Sequence, residues 1–209
     1  PNDTVTVSDS VIKQISNWKG SASINLEAGE KISVLDLIYS MMLVSANDSL
    51  FALAEFICGS LDKFAVMMQE KAKSIGAADT TVTTADGRFT AEQYSNAYDL
   101  AIICRYCMTN RMFRTIAATD KYTIPATNKN GSRDLQNTNL LINSGNRRYR
   151  YETAIGIKSG YTARSKSCLA CSALPPASKF GEEVLAIILG AENTKQMKYV
   201  FYDAITLLD

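Results

Sequence analysis

Hydrophobic positions change their spacing three times along this chain. Near the start, DTVTVS alternates polar and apolar residues, which predicts a short strand. From Ser33 the spacing becomes helical: SVLDLIYSMMLV places a serine ahead of an apolar run and Asp36 three residues on, a pairing that starts helices. SANDSLFALAEFICG follows, a polar cluster and then Leu50, Leu53, Ala54 and Ile57 on one helical face, with Gly59 as a stop. A third helix is predicted from Leu61 to about Ile75, ending at Gly76. TTVTTADGRFTAEQ is polar and turn-rich, and Ser95 is expected to cap a fourth helix reaching about Met108. Residues 128–150, rich in Asn, Arg, Gly and Ser, read as loop.

The spacing changes again in the last third. ETAIGIKSGYT, KSCLACSAL and EEVLAIILGAE predict three strands, and the short links ARS and PPASKFG favour antiparallel neighbours. TKQMKYVFYDAITLL returns to helical spacing. The expected class is α+β: one domain over 1–209, with a mainly helical subregion over about 33–127 and a sheet plus C-terminal helix over about 151–209.

Composition narrows the function classes. Twenty-two basic and 21 acidic residues leave a net charge of +1, which argues against a broad nucleic-acid footprint or an electrostatic membrane stripe. The longest nearly apolar run, LIYSMMLV, is too short to span a bilayer. PNDTVTVSDS has no start methionine and no charged-then-apolar leader, so the chain is expected to be entered midway, with any signal peptide outside it. Of five cysteines, Cys104, Cys107, Cys168 and Cys171 form two Cys-x-x-Cys pairs. The first lies in a helical pattern without Gly or Pro to shape a knuckle. The second lies in a strand, where residues three apart face opposite ways. Buried thiols, not a metal site, are expected.

Two clusters carry candidate chemistry: Ser45-Ala46-Asn47 between two helices, and Lys158-Ser159-Gly160 on the first late strand. The chain contains no histidine, so a hydroxyl nucleophile would need another base, as in serine–lysine mechanisms. Lys158 offers positive charge and Ser159 a hydroxyl donor, a fit for a carboxylate. Gly160 lets a ligand lie close to the strand, as an added strand would. Ser-x-Asn and Lys-Thr/Ser-Gly, in this order, are the second and third signatures of penicillin-recognising serine enzymes.

With DTVTVSDS, LEAGEKISVLDLIYSMMLVSANDSLFALAEFICGS, YSNAYDLA, KYTIPATNKNGSRDLQNTNLL and AIGIKSGYT beside these signatures, the chain resembles the D-alanyl-D-alanine carboxypeptidases among the low-molecular-weight penicillin-binding proteins, over nearly its whole length. The resemblance implies a β-lactamase/transpeptidase-like fold. It also implies a serine peptidase that removes the terminal D-alanine of peptidoglycan stem peptides through an acyl-serine, and that binds penicillin. In that reading Ser45 relays a proton to the leaving amine and Lys158 is its catalytic counterpart. Asn47, Ser159, Gly160 and Tyr161 bind substrate, the Tyr161 N–H resembling an oxyanion donor by position. The implied partners are stem peptides ending in D-Ala-D-Ala and β-lactam antibiotics. No metal or organic cofactor is implied. The location is extracytoplasmic, with membrane association only through segments outside this chain.

The family's first signature, Ser-x-x-Lys, departs from pattern. Ser10 to Lys13 and Ser16 to Lys19 match it in letters but lie too close to Ser45, and a short surface helix is expected there. The acylated serine, its lysine and the strands before them are therefore expected outside this chain, leaving the chain alone inactive. Ser159 stands for the commoner threonine, and ARSKS lacks a glycine often found after the strand. Two alternatives stay open: a non-catalytic domain that binds stem peptides or β-lactams, and a class A-like β-lactamase, for which Glu92 and Asn96 superficially supply a Glu-x-x-x-Asn pattern.

Overall fold

The computed structural model describes residues 3–18, 20–174, 182–194 and 198–209. The chain divides into two compact units, one of residues 1–70, 82–93 and 121–136, the other of 71–81, 94–120 and 137–209.

In the first unit the alternating start forms β1 (Thr4–Thr6), paired antiparallel with β2 (Lys31–Ser33) so that Val5 meets Ile32, both buried. Helix α1 (Asp9–Ser16) follows, its first turn capped by Ser8 Oγ, which accepts from the Val11 N–H. The predicted start of α2 (Val34–Val44) is present: Ser33 Oγ accepts from the Asp36 N–H at 3.0 Å and donates to the Asp36 carboxylate at 2.5 Å. Helix α3 (Asn47–Cys58) ends at Gly59, whose φ of +77° suits glycine, and α4 (Leu61–Ser74) starts two residues later.

Within the loop expected over residues 128–150, residues 133–136 instead form a strand, the second of a hairpin. Strand β3 (Lys121–Ile124) pairs antiparallel with β4 (Arg133–Gln136), and α2 packs on both. RDLQ hides this strand from a periodicity reading because Leu135 is its one apolar residue. Tertiary contacts make it a strand. Tyr122 stacks on Tyr39 with ring centroids 3.7 Å apart and donates to Asp36, while Thr123 donates to Asp134 across the ladder.

Behind the hairpin, Glu30 has no exposed surface and meets the Arg133 guanidinium at 2.8 Å. Burial pushes its pKa up, but hydrogen bonds from Thr127, the Glu27 N–H, Arg133 and Asn130 outweigh that and hold its carboxyl below the usual range. Replacing Arg133 by Met leaves this buried charge without its cation, and we expect a loss of about 3–5 kcal/mol in urea unfolding.

In the second unit, α5 (Ala97–Met108) is capped not by Ser95, as expected, but by Asn96, whose Oδ1 accepts from the Asp99 N–H at 2.8 Å. The Ser95 hydroxyl is taken up sideways by Thr80, which also donates to the buried Asp99. Helix α6 (Arg111–Ala117), unmarked by hydrophobic spacing, starts where Asn110 accepts from the N–H groups of Met112 and Phe113.

The three late strands are present as expected. They are β5 (Ala154–Thr162), β6 (Lys166–Ala173) and β7 (Val184–Ala191), antiparallel in that order. Helix α7 (Tyr199–Leu208) packs on β6 and β7, burying Val200, Phe201, Ala204 and Leu208 against Leu169, Cys171 and Ile188. The whole link PPASKFG, residues 175–181, and the expected first turn of the last helix at 195–197 lie outside the described residues. All five thiols are free of disulfides; Cys171 is buried as expected, but Cys58, Cys104, Cys107 and Cys168 are only partly so. Burial pushes Cys104 up to about 12 and Cys171 to about 11, values at which neither is a nucleophile near neutral pH.

Helix α6 packs on β5, and at Gly156 the strand comes close to Ala117 of that helix. A Cβ there would lie 2.9 Å from the Ala117 Cβ, with φ at +149°. Gly156→Ala is expected to lower stability by about 1–3 kcal/mol in thermal unfolding, whereas Gly160→Ala, whose Cβ would meet nothing within 4 Å, leaves it nearly unchanged.

Candidate functional site

Ser45 and Asn47 lie in the first unit, in the link between α2 and α3. Ser45 ends α2 with φ +59° and ψ 34°, and its N–H donates to the Ser40 carbonyl. A left-handed serine costs roughly 1–2 kcal/mol. The ground beneath it is held by Ser40 and Ser49, buried hydroxyls 2.7 Å apart. The turn leaves both Ser45 and Asn47 half-buried.

Asn47 opens α3. Its backbone N–H donates to the Ala22 carbonyl at 2.8 Å, and its side-chain amide reaches the same oxygen at 3.4 Å. The next residue, Asp48, is wholly buried. Its carboxylate accepts from Ser23 Oγ at 2.6 Å and from the N–H groups of Ile24, Leu26 and Ser49. Sequence reasoning missed Asp48 and the segment 22–26. The available signal was an acid in the first turn of an apolar helix. Apart from the adjacent Ser49, its partners lie more than twenty residues upstream, beyond any local pattern.

The other candidates lie in the second unit on β5, an outer strand of its three-stranded sheet. Lys158, Ser159, Gly160 and Tyr161 pair across to Ala170, Leu169, Cys168 and Ser167. Alternation puts Lys158 and Gly160 on one face and Ser159 and Tyr161 on the other. The Tyr161 side chain is 70% exposed. Gly160 leaves the space above it open.

Lys158 is half-buried, and its Nζ donates to the Ser159 carbonyl at 2.7 Å. Desolvation pulls its ammonium down to about 8. The folded state therefore binds this proton less tightly than the unfolded chain. Its penalty is complete below pH 8 and is relieved as pH rises from about 8 towards 10.5. Wild type should gain stability over that window relative to Lys158→Met, measured by urea unfolding at pH 7 and pH 10; a constant difference would refute the shift.

The two Ser-x-x-Lys strings fall on α1 and just past it, the short surface helix expected. Ser10 accepts from the Gln14 side chain at 3.1 Å, and Ser16 donates to the Lys13 carbonyl at 2.8 Å; all three of Ser10, Lys13 and Ser16 are exposed. Lys19 lies outside the described residues. Asn96, offered by the Glu92 pattern, spends its side chain as the cap of α5. Among the described residues no helix is long and apolar enough to cross a membrane.

Residues 1–193 match the model of the D-alanyl-D-alanine carboxypeptidase family. The chain is 33% identical over 178 residues to the D-alanyl-D-alanine carboxypeptidase DacF of Bacillus subtilis, covering 85% of this chain and 43% of that protein. It is 31% identical over 195 residues to a D-alanyl-D-alanine carboxypeptidase of a Streptomyces strain, covering 85% and 64%. The chain thus spans well under two thirds of the first relative and just under two thirds of the second. Among solved structures, the DD-transpeptidase of that Streptomyces strain superposes with a TM-score of 0.83 at 26% identity, over 99% of this chain and 77% of the other. A D-alanyl-D-alanine carboxypeptidase of Mycobacterium tuberculosis gives 0.80 at 25%, over 99% and 72%. The α+β fold is therefore of the DD-peptidase and β-lactamase-like type, as the resemblance implied.

Proposed function

This chain belongs to the D-alanyl-D-alanine carboxypeptidase family, and on that premise we propose that its protein removes the last D-alanine from peptidoglycan stem peptides through an acyl-serine intermediate. The observation that carries the reading is the β5 segment. It sets an ammonium with a weakened hold on its proton beside a hydroxyl and a bare glycine, on an outer strand.

A peptide ending in D-Ala-D-Ala presents a carboxylate and an extended backbone. Lys158 and Ser159 suit the carboxylate, and Gly160 admits the backbone. A serine hydroxyl attacks the penultimate carbonyl and forms the acyl-serine ester. The amide C–N bond breaks as the departing amine gains a proton, which we assign to relay through Ser45. Asn47 holds a substrate amide, and the Tyr161 N–H stabilises the oxyanion. Water then hydrolyses the ester. A β-lactam enters by the same acylation, since its ring amide takes the place of the peptide bond.

Neither Ser10 nor Ser16 suits the attacking role, because their hydroxyls sit on an exposed helix and bond within it. The Asn96 cap also weakens the class A β-lactamase alternative. A second reading is favoured by the same placement of Ser10 and Ser16: a domain that captures stem-peptide carboxylates without acylation. The substrate lies outside the cytoplasmic membrane, so we place the protein there, with any membrane attachment through segments outside this chain.

Intact mass after exposure to benzylpenicillin separates the readings. We expect a covalent adduct on the product of the whole gene and none on the 209-residue chain. A label on Ser10 or Ser16 would sink the assignment, and no label on either protein would leave the binder. Where label forms, its rate should fall as pH rises through about 8, and Lys158→Ala should slow it by about 10- to 100-fold.

A further inference from the structure

We propose that Asp48 is a positioning residue of the candidate site, orienting the Asn47 amide through the 22–26 segment that its carboxylate holds. The inference rests on the reading above and adds to it a residue that belongs to neither signature.

Asp48 has no exposed surface, so its charge has only protein to lean on. The donors come almost wholly from one segment. Ser23 Oγ, the Ile24 N–H and the Leu26 N–H all reach Oδ2, at 2.6, 3.2 and 3.0 Å. Two N–H groups two residues apart can meet one oxygen because Asn25, between them, folds the chain back with φ +58°. Ser23 Oγ also accepts from the Asn25 N–H at 2.8 Å, closing the turn on itself. The segment is wound around the carboxylate.

Ala22 immediately precedes this winding, and its carbonyl is what Asn47 meets, by backbone at 2.8 Å and by side-chain amide at 3.4 Å. One N–H of the Asn47 amide is therefore engaged by an oxygen whose place depends on Asp48. The rest of that amide is left oriented for a ligand. A buried carboxylate with several donors contributes to stability whatever the site does, so stability does not distinguish a positioning role from a structural one. The carboxylate does select a single path for the segment, because only that path brings the N–H groups of Ile24 and Leu26 to one point.

The test is a double-mutant cycle on benzylpenicillin acylation of the whole gene product. Asp48→Asn and Asn47→Ala should each slow acylation on the order of tenfold, and the double variant should be no slower than Asn47→Ala alone. Multiplied losses would mean that Asp48 only stabilises the fold, and would overturn the proposal. Ser23→Ala keeps the charge and deletes one donor; should Asp48→Asn fail to fold, it enters the same cycle with the same two outcomes. If the wild type takes no label, the enzymatic reading fails, and the Asn47 side-chain amide resonances of the 209-residue chain decide the positioning separately. A shift in those resonances in Ser23→Ala supports it, and unchanged resonances overturn it.

Discussion

A carboxylate shut away from water must find its donors in the chain, and the first unit is organised around that requirement. Asp48 gathers the segment 22–26 against the head of α3. Glu30 gathers Arg133, Thr127 and Asn130 from the hairpin side. Arg133 ties the two groups together, because its Nη2 also reaches the Asn25 carbonyl at 3.4 Å. Asp36 does similar work at the start of α2, taking Ser33 and Tyr122. Each charge is buried, and each is matched by several directed donors, so the loops between helices have one arrangement that leaves no charge orphaned.

The second unit satisfies a buried carboxylate in the same way, Asp99 accepting from Thr80, but it also carries a cation. Lys158 is partly withdrawn from water, and the contact it makes along its own strand is with a carbonyl, not a carboxylate. Desolvation is the cause of its lowered proton affinity. A cation held in that condition is stabilised by an arriving anion more than a fully solvated one would be. Burial weakens the hold of Lys158 on its proton, and perturbed groups of that kind are candidates for ligand chemistry.

Much of this was legible along the chain. The Ser33 and Asp36 pair, the stop at Gly59 and the three late strands all follow from interactions within a few residues, and they stand where spacing puts them. Errors came where two local solutions compete. Ser95 and Asn96 can both cap a helix, and Thr80, distant in sequence, draws Ser95 aside. RDLQ carries too little apolar signal to be a strand until Tyr122 and Leu135 find α2.

What the sequence by itself determined is the inventory and its local grammar: Ser45 beside Asn47, Lys158 followed by Ser159 and Gly160, no histidine, and the elements that carry them. Tertiary structure alone decided the left-handed turn at Ser45, the burial of Asp48 and Glu30, and the half-desolvated state of Lys158. The reason is range. Spacing and capping depend on neighbours three or four residues away, whereas burial and hydrogen-bond matching depend on which distant segments displace water. A string of letters specifies those segments only through the fold.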